Sequence, residues 1–467
     1  MIANRKRVAV IGAGIAGLGA AWSLRENAEV TVYEKAPRFG GHSWTVDVDY
    51  DGQVIPVDIG FICFNRPNYP NLTGLLRHIG VKTVMTDMSF SVSDPANYEW
   101  SSDPLGLFAW KRNMVDPTFL HLINEILRFN NIARRDLTQG VIPEMTLGDY
   151  LDRHGFSQTF RVAYLLPMSA AIWSTPETDM LNYPVGSFIQ FFDNHRLMHA
   201  IRPIWRTVAG GSRNYVEVLL EDLKANAATL RIGAEIDVVR PHPSGRIHVA
   251  ERDGRSDLFD NVIFASHADQ TRQMLDRRYD DQRLALGSVR FAPNVAYLHR
   301  DPSLMPNRRT AWASWNVLKG GDDRVCVTYW MNRLQKIAGD KPLFVTLNPT
   351  VPPAKDKTFG VYEFDHPMYD APAAAGRRAI TRIQGQDGLL FAGAWLGDGF
   401  HEAGLRTGLE ASHALGGEVP WNVVLEHRHT VAPPVARPVA PPVAPPVATA
   451  IPTIPGLVDL PPLMAAG

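Results

Sequence analysis

Val8-Ala9-Val10-Ile11-Gly12-Ala13-Gly14-Ile15-Ala16-Gly17, followed by Val30-Thr31-Val32-Tyr33-Glu34, is the stretch that decides the fold. Val8 to Ile11 reads as a buried strand and the run through Leu24 as a helix. Val30 to Tyr33 is a second strand, so the chain opens on a strand–helix–strand unit and implies a parallel sheet. Gly12-x-Gly14-x-x-Gly17 sits between the first strand and the helix. Gly12 permits the tight turn, Gly14 lets the backbone approach a pyrophosphate, and Gly17 lets the helix pack on the sheet. Phosphates would rest on the helix N-terminus at Ile15 and Ala16, where free N–H groups and the helix dipole favour anions. Glu34 ends the second strand, placed for a ribose hydroxyl. Three such glycines alone are a weak signal. Strand, glycines, helix, strand and acid in that order are a strong one.

The next residues narrow the nucleotide. Lys35-Ala36-Pro37-Arg38-Phe39-Gly40-Gly41-His42 follows Glu34 directly. Arg38 can pair with a phosphate, and the two glycines let the chain pass close to a cofactor. This ExxxRxGG stretch resembles the FAD-binding signature of the amine oxidase and phytoene desaturase superfamily. Asp260-Asn261-Val262-Ile263-Phe264-Ala265 is similar to that superfamily's DxVIxA strand. Phe391-Ala392-Gly393 with Gly399-Phe400-His401-Glu402-Ala403-Gly404-Leu405 is similar to its C-terminal flavin motif. The resemblance covers nearly everything except a proline-rich end.

It implies non-covalent FAD, since no cysteine lies near Phe391 to Gly404. It also implies that the last helix points its N-terminus at the flavin pyrimidine edge, stabilising negative charge on the reduced ring. Val238 would lie beside the adenine, and Gly60 and Phe61, in Asp58-Ile59-Gly60-Phe61, beside the ribityl chain and ring. Gly393, Gly399, Ala403, Gly404 and Leu405 would frame the ring from the C-terminal motif. His401 and Glu402 are the candidate catalytic residues, because the motif sets them beside the flavin. No metal site is expected.

The sequence departs from amine oxidases in two places. Trp395 stands where they carry a glutamate, and no lysine has an obvious context for the lysine near flavin N5. Phe400 matches one aromatic wall of the amine cage.

Bulk composition is that of a globular protein with a sizeable core. The chain has 467 residues, 45% hydrophobic and 20% charged, with a net charge of -1. That charge supplies no field to draw in nucleic acid. Cys63 and Cys326 cannot form a disulfide framework or a metal cluster. The N-terminal residues run into the first strand without a signal-peptide pattern. No stretch reaches the roughly 18 apolar residues of a spanning helix. A cytoplasmic protein is expected, resting on the inner face of the membrane through Leu105 to Arg112, where rings precede two cations.

The expected fold is α/β: an FAD-binding Rossmann-like domain of the two-dinucleotide-binding-domain class, with an inserted mixed α+β substrate domain. Residues 1–85, 205–275 and 385–425 would form the FAD domain, and 86–204 and 276–384 the substrate domain. In the latter, Phe119, Leu122, Ile123, Ile126 and Leu127 fall at helical spacing. From 430 onward the PPVA repeats predict an extended, disordered tail.

Phe160 to Ser174, Ala311 to Asn316 and Trp205 to Ser212 resemble a bacterial subgroup of predicted NAD/FAD-binding proteins. That subgroup includes the furan fatty acid pathway desaturase and tends to be encoded with cyclopropane-type fatty-acid synthases. The resemblance implies an FAD-dependent desaturase of a membrane lipid's acyl chain, such as a methyl-branched one, with a fatty-acid methyltransferase or cyclopropane-type synthase as functional partner. The alternatives are an amine oxidase, a flavin-dependent double-bond isomerase, and a flavoprotein that assists a lipid synthase without turnover.

Overall fold

Lys6–Ile11 is flanked in parallel by Ala28–Glu34 on one side and Asn261–Phe264 on the other. Thr229–Ile232 and Leu389–Phe391 extend this sheet to five strands, all parallel. A parallel sheet is covered on both faces, which is why Val8 to Ile11, Val30, Val32, Val262 to Phe264 and Leu389 to Phe391 are apolar and buried. The computed structural model describes residues 5–429, apart from 174–176, 200–202 and 320–325, together with Val431. Apart from Val431, the proline-rich segment read as a tail lies outside the described residues.

One face of the sheet is covered by three helices, Ile15–Leu24, Arg213–Ala225 and His401–His413. The first and last of these cross through small residues. A Cβ on Gly408 would strike the Ala16 carbonyl oxygen, and one on Gly404 would lie 3.0 Å from Ile15 Cγ2. Ser23 Oγ and Ser412 Oγ hydrogen-bond at 2.6 Å across the crossing. Trp421 stacks on Trp22 at 5.8 Å, closing the outer end of this layer.

The second face is covered by the helices Asp280–Leu286 and Ala371–Ile383, which lie in segments read from sequence as the substrate domain. Leu286, Val289 and Ile380 bury themselves with Ala9, Ile11 and Phe264. A bare second face would leave these strand residues in water, so the chain supplies its cover from segments flanking the other domain.

The second unit is a seven-stranded sheet in the order Thr358–Pro367, Phe291–His299, Phe344–Leu347, Cys326–Trp330, Trp315–Leu318, Phe90–Asp94, Tyr98–Ser101. A helical layer packs on it, led by Pro117–Gln139. In that helix Phe119 and Leu122 are buried, Ile123 and Ile126 are half-buried, and Leu127 faces outward. The units are tied at Asp58, which accepts from Thr45 Oγ1 at 2.6 Å, Ser212 N at 2.9 Å and Gln335 Nε2 at 3.0 Å. Among the described residues, no helix is long and apolar enough to cross a membrane.

Candidate active site

A single cavity of about 790 Å³ runs from the carboxyl ends of the parallel strands into the seven-stranded unit. Ligands in open α/β sheets bind at that edge. One end is built from the glycine turn. Gly12 has φ +104°, and a Cβ there would lie 2.6 Å from the Ala265 carbonyl oxygen. Gly14 faces open space, where a Cβ would meet only Gly41 Cα, at 3.9 Å. Gly14 also begins the helix Ile15–Leu24, and no side chain caps it. The first amides of this helix are therefore free to receive an anion.

Glu34 holds the turn. Its carboxylate accepts from Ala13 N and Ala36 N, each at 2.9 Å. Arg38 lines the cavity with its guanidinium 3.7 Å from the centre of the Trp44 ring. Its Nη1 is buried and has no hydrogen-bond partner among the described residues. Burial pushes the Arg38 pKa down to about 10, against the pull of Glu34. An orphaned buried cation, a glycine cradle and an open helix N-terminus together fit the pyrophosphate of a dinucleotide.

The cavity contains most of the residues proposed from sequence. Gly12, Gly14, Ile15, Ala16, Glu34, Lys35, Arg38, Gly41, His42, Gly60, Phe61, Gly393, Gly399, His401 and Gly404 line it. Gly17, Val238, Glu402, Ala403 and Leu405 do not. Gly17 packs its helix on the turn, since a Cβ there would overlap the Gly12 carbonyl. Leu405 is fully buried against Gly19. Near Val238 the wall is supplied by Glu235, Ile236 and Asp237.

His401 and Glu402 divide. His401 stacks flat on Phe61, 3.7 Å between centroids at 7°. Its Nε2 lies 2.7 Å from Tyr215 Oη and 3.2 Å from Ser43 Oγ. Burial pushes its pKa down to about 3, so the ring is neutral. Glu402 accepts from Asn71 N at 2.9 Å and Leu72 N at 3.0 Å, capping the helix Pro70–His78. Burial lifts its pKa to about 7, opposed by those amides.

Other site residues escaped the sequence reading. His267 and His366 join His42 in the cavity wall, with ring centroids 6.5 Å and 5.8 Å from His42. Burial holds His42 and His267 down to about 4 and His366 to about 3. His267 directly follows the strand Asn261–Phe264 and its turn, so strand-end logic alone could have found it.

The far end is apolar and aromatic. Met88, Phe90, Met168, Ile172, Phe191, Leu197, Trp315, Tyr329 and Leu347 line it. Asp398 and His195 are polar exceptions in the wall near Phe400. Phe400 stacks on Phe191 at 5.1 Å. Lys35, next to Glu34 in the glycine-turn region, is the cavity's only lysine among the described residues. Trp395 is buried and donates from Nε1 to the Ser266 carbonyl at 3.1 Å.

Comparison with known proteins agrees with this architecture. A family profile described as an NAD(P)-binding Rossmann-like domain matches residues 10–79. The carotenoid phi-ring synthase of Streptomyces griseus is 25% identical over 323 residues, which are 64% of this chain and 59% of that protein. The chain thus spans less than two thirds of this curated relative. Among solved structures, cyclohexylamine oxidase from Brevibacterium oxydans IH-35A aligns with TM-score 0.65 at 14% identity, over 88% of this chain and 98% of that one. A fatty acid isomerase from P. acnes that produces CLA aligns with TM-score 0.60 at 14% identity, over 87% of this chain and 98% of that one. The chain thus carries an NAD(P)-binding Rossmann-like segment and shares its fold with FAD-dependent amine oxidases, and it is similar in sequence to a carotenoid enzyme.

Proposed function

We propose that this chain desaturates a fatty acyl chain of a membrane lipid, such as a methyl-branched one, using FAD. The observation that carries the reading is the far end of the cavity, a chamber walled by aliphatic and aromatic side chains. Such a wall gives an acyl chain its affinity by burial, about 25 cal/mol per Å² of apolar surface. An ammonium would need acids and an aromatic cage. The chamber offers Asp398 and Phe400 for that, and no lysine. The relative is named for carotenoid chemistry and one structural neighbour for a fatty acid, which suits an apolar substrate.

FAD, when bound, supplies a two-electron acceptor for the hydrogen that leaves with its electron pair. The protein's residues do the remainder. The glycine turn, Arg38 and the helix N-terminus hold the pyrophosphate. The amides that open the helix His401–His413 are not capped by a side chain and face negative charge favourably. Phe61 and His401, stacked and neutral, form a rigid floor. The aromatic chamber orients the chain and excludes water.

Access from a bilayer would use the segment from Leu105 to Arg112, extended to Met114 and Val115. Phe108 packs on Phe119 at 6.3 Å. Trp110 lies between the guanidinium groups of Arg112 and Arg308, at 4.4 Å and 4.3 Å. Leu105, Met114 and Val115 are instead 85%, 55% and 79% exposed beside Lys111 and Arg112. These three apolar groups and two cations suit an anionic leaflet, and a lipid-modifying synthase would act on the same acyl chain beforehand. The deciding experiment compares the lipids of cells with and without the protein by mass, together with anaerobic bleaching of the flavin by acyl lipid. Loss of two hydrogens is expected. Brisk peroxide formation from polyamines with unchanged lipids would install the amine oxidase reading instead.

A further inference from the structure

Hydrogen removed as an ion pair from two adjacent carbons leaves one proton with nowhere to go unless the chamber holds a base. The residues first in line from sequence are engaged elsewhere: His401 Nε2 meets Tyr215 and Ser43, and Glu402 caps a helix. His195 is placed differently. It is 7% exposed, at the C-terminal end of the helix Val185–Asn194, and it lines the apolar end of the cavity. Its Nδ1 lies 3.0 Å from the Phe191 carbonyl oxygen. A carbonyl can only accept, so Nδ1 carries the hydrogen and Nε2 keeps its lone pair. Among the described residues Nε2 has no hydrogen-bond partner. The ring is stacked on Phe191 at 3.9 Å, with Phe400 at 5.6 Å and Trp205 at 6.4 Å.

We infer that His195 Nε2 is the general base that takes the proton released when the acyl chain is desaturated. The assignment rests on the proposed desaturation. One C–H bond breaks with its electron pair leaving to the oxidised flavin, and the neighbouring carbon then loses a proton to Nε2. The electrons of that second C–H bond form the new double bond. Departure of the hydride first leaves a cationic carbon, which makes its neighbour's C–H acidic enough for a neutral imidazole. Phe191, Phe400 and Trp205 hold the imidazole in place around the base.

The groups facing His195 are consistent with this role. Burial lowers its pKa and keeps it neutral, and Asp398 pulls in the opposite direction. Tyr69 approaches edge-on at 6.5 Å, its hydroxyl held protonated by burial. On its own element, Asp193 is occupied by His199 at 2.8 Å. Asp398 is exposed and lines the cavity, so it offers the proton a way out.

The test uses FAD-loaded protein, its His195→Gln and His195→Asn variants, and anionic vesicles carrying a methyl-branched acyl chain. Nitrogen-15 histidine spectra should show His195 neutral, with hydrogen on Nδ1, at pH 7. Anaerobic flavin bleaching should slow by about a hundredfold or more in both variants, with FAD content and vesicle binding kept. The wild-type rate should fall as pH drops through the His195 pKa, and the residual rate of the variants should stay level. Hydrogen on Nε2, an imidazolium at pH 7, or variants that bleach as fast as wild type would overturn the assignment. A wild-type flavin that no acyl lipid bleaches overturns the desaturation reading, and the base falls with it. Fast bleaching in wild type and variants alike removes only the base.

Discussion

Arg38 lies with its guanidinium 3.7 Å from the centre of the Trp44 ring, one terminal nitrogen buried and unpartnered among the described residues. The indole holds the cation in place before any anion arrives, so little of its freedom remains to be lost on binding. Arg38→Ala should therefore weaken FAD. A hydrogen bond to a charged group is worth about 1.5–3 kcal/mol, or roughly a ten- to hundredfold rise in Kd. Fluorescence titration of the apoprotein measures it. Arg38→Lys should recover part of the loss, since an ammonium is a point charge without the planar fork.

Gly14 and Gly12 should respond differently to the same change. Gly14→Ala adds a Cβ that meets only Gly41 Cα, at 3.9 Å, so the apoprotein should keep its melting temperature. The new methyl occupies the approach of the pyrophosphate, and FAD binding should collapse. Gly12→Ala forces a side chain onto φ +104°, 2.6 Å from a carbonyl oxygen, and should lower the melting temperature as well. Thermal unfolding with and without FAD separates the two.

How much of this was legible follows a physical line. The glycine turn, Glu34 and Arg38 could be read because a tight turn and a phosphate demand particular residue types at fixed spacings. The final strand and helix were readable for the same reason. The cover of the sheet's second face was not, because Leu286 and Ile380 carry no local mark of which sheet they will meet. Nor was the parallel pairing of Phe90–Asp94 with Trp315–Leu318, whose partners lie 225 residues apart. Glu402 was read from sequence as a candidate beside the flavin, but its direction depends on where Asn71 and Leu72 arrive.

Acid should destabilise the protein. The pKa values of His42, His267, His366 and His401 are held down to about 4, 4, 3 and 3, below the value of 6.5 in an unfolded chain. Between 6.5 and those values the unfolded chain binds more protons, so stability present above pH 6.5 is lost as pH falls. Each such group contributes a slope of about 1.4 kcal/mol per pH unit. Asp58 and Glu402, lifted to about 6 and 7, act in the opposite sense but are fewer. Melting temperature should drop steadily from pH 6.5 to 4.5 at fixed salt. A flat profile would mean that water reaches these rings.

Glu402→Gln isolates one of the opposing groups. Its folded pKa of about 7 exceeds the ordinary 4.5, so its contribution to stability falls as pH rises between those values. The glutamine variant lacks this dependence. It should gain on wild type by about 1.4 kcal/mol per pH unit across that window, measured by chemical denaturation. Flavin bleaching should persist, as suits a residue that caps a helix.

Leu105→Ser combined with Val115→Ser should reduce co-sedimentation with anionic liposomes while leaving FAD content unchanged. Added salt should weaken wild-type binding only in part, since screening acts on Lys111 and Arg112 but not on apolar contact. Phe108→Ser should act mainly on stability, because that ring packs inward on Phe119.

The Ser23–Ser412 hydrogen bond joins residues 389 positions apart. The glycine turn and the helix packed behind it, His401–His413, stand nearly four hundred residues apart in the sequence. The strand Leu389–Phe391 joins the same sheet from equally far along the chain. The cofactor cradle can therefore close only after contacts of very long sequence separation have formed, which makes its assembly a slow step of folding.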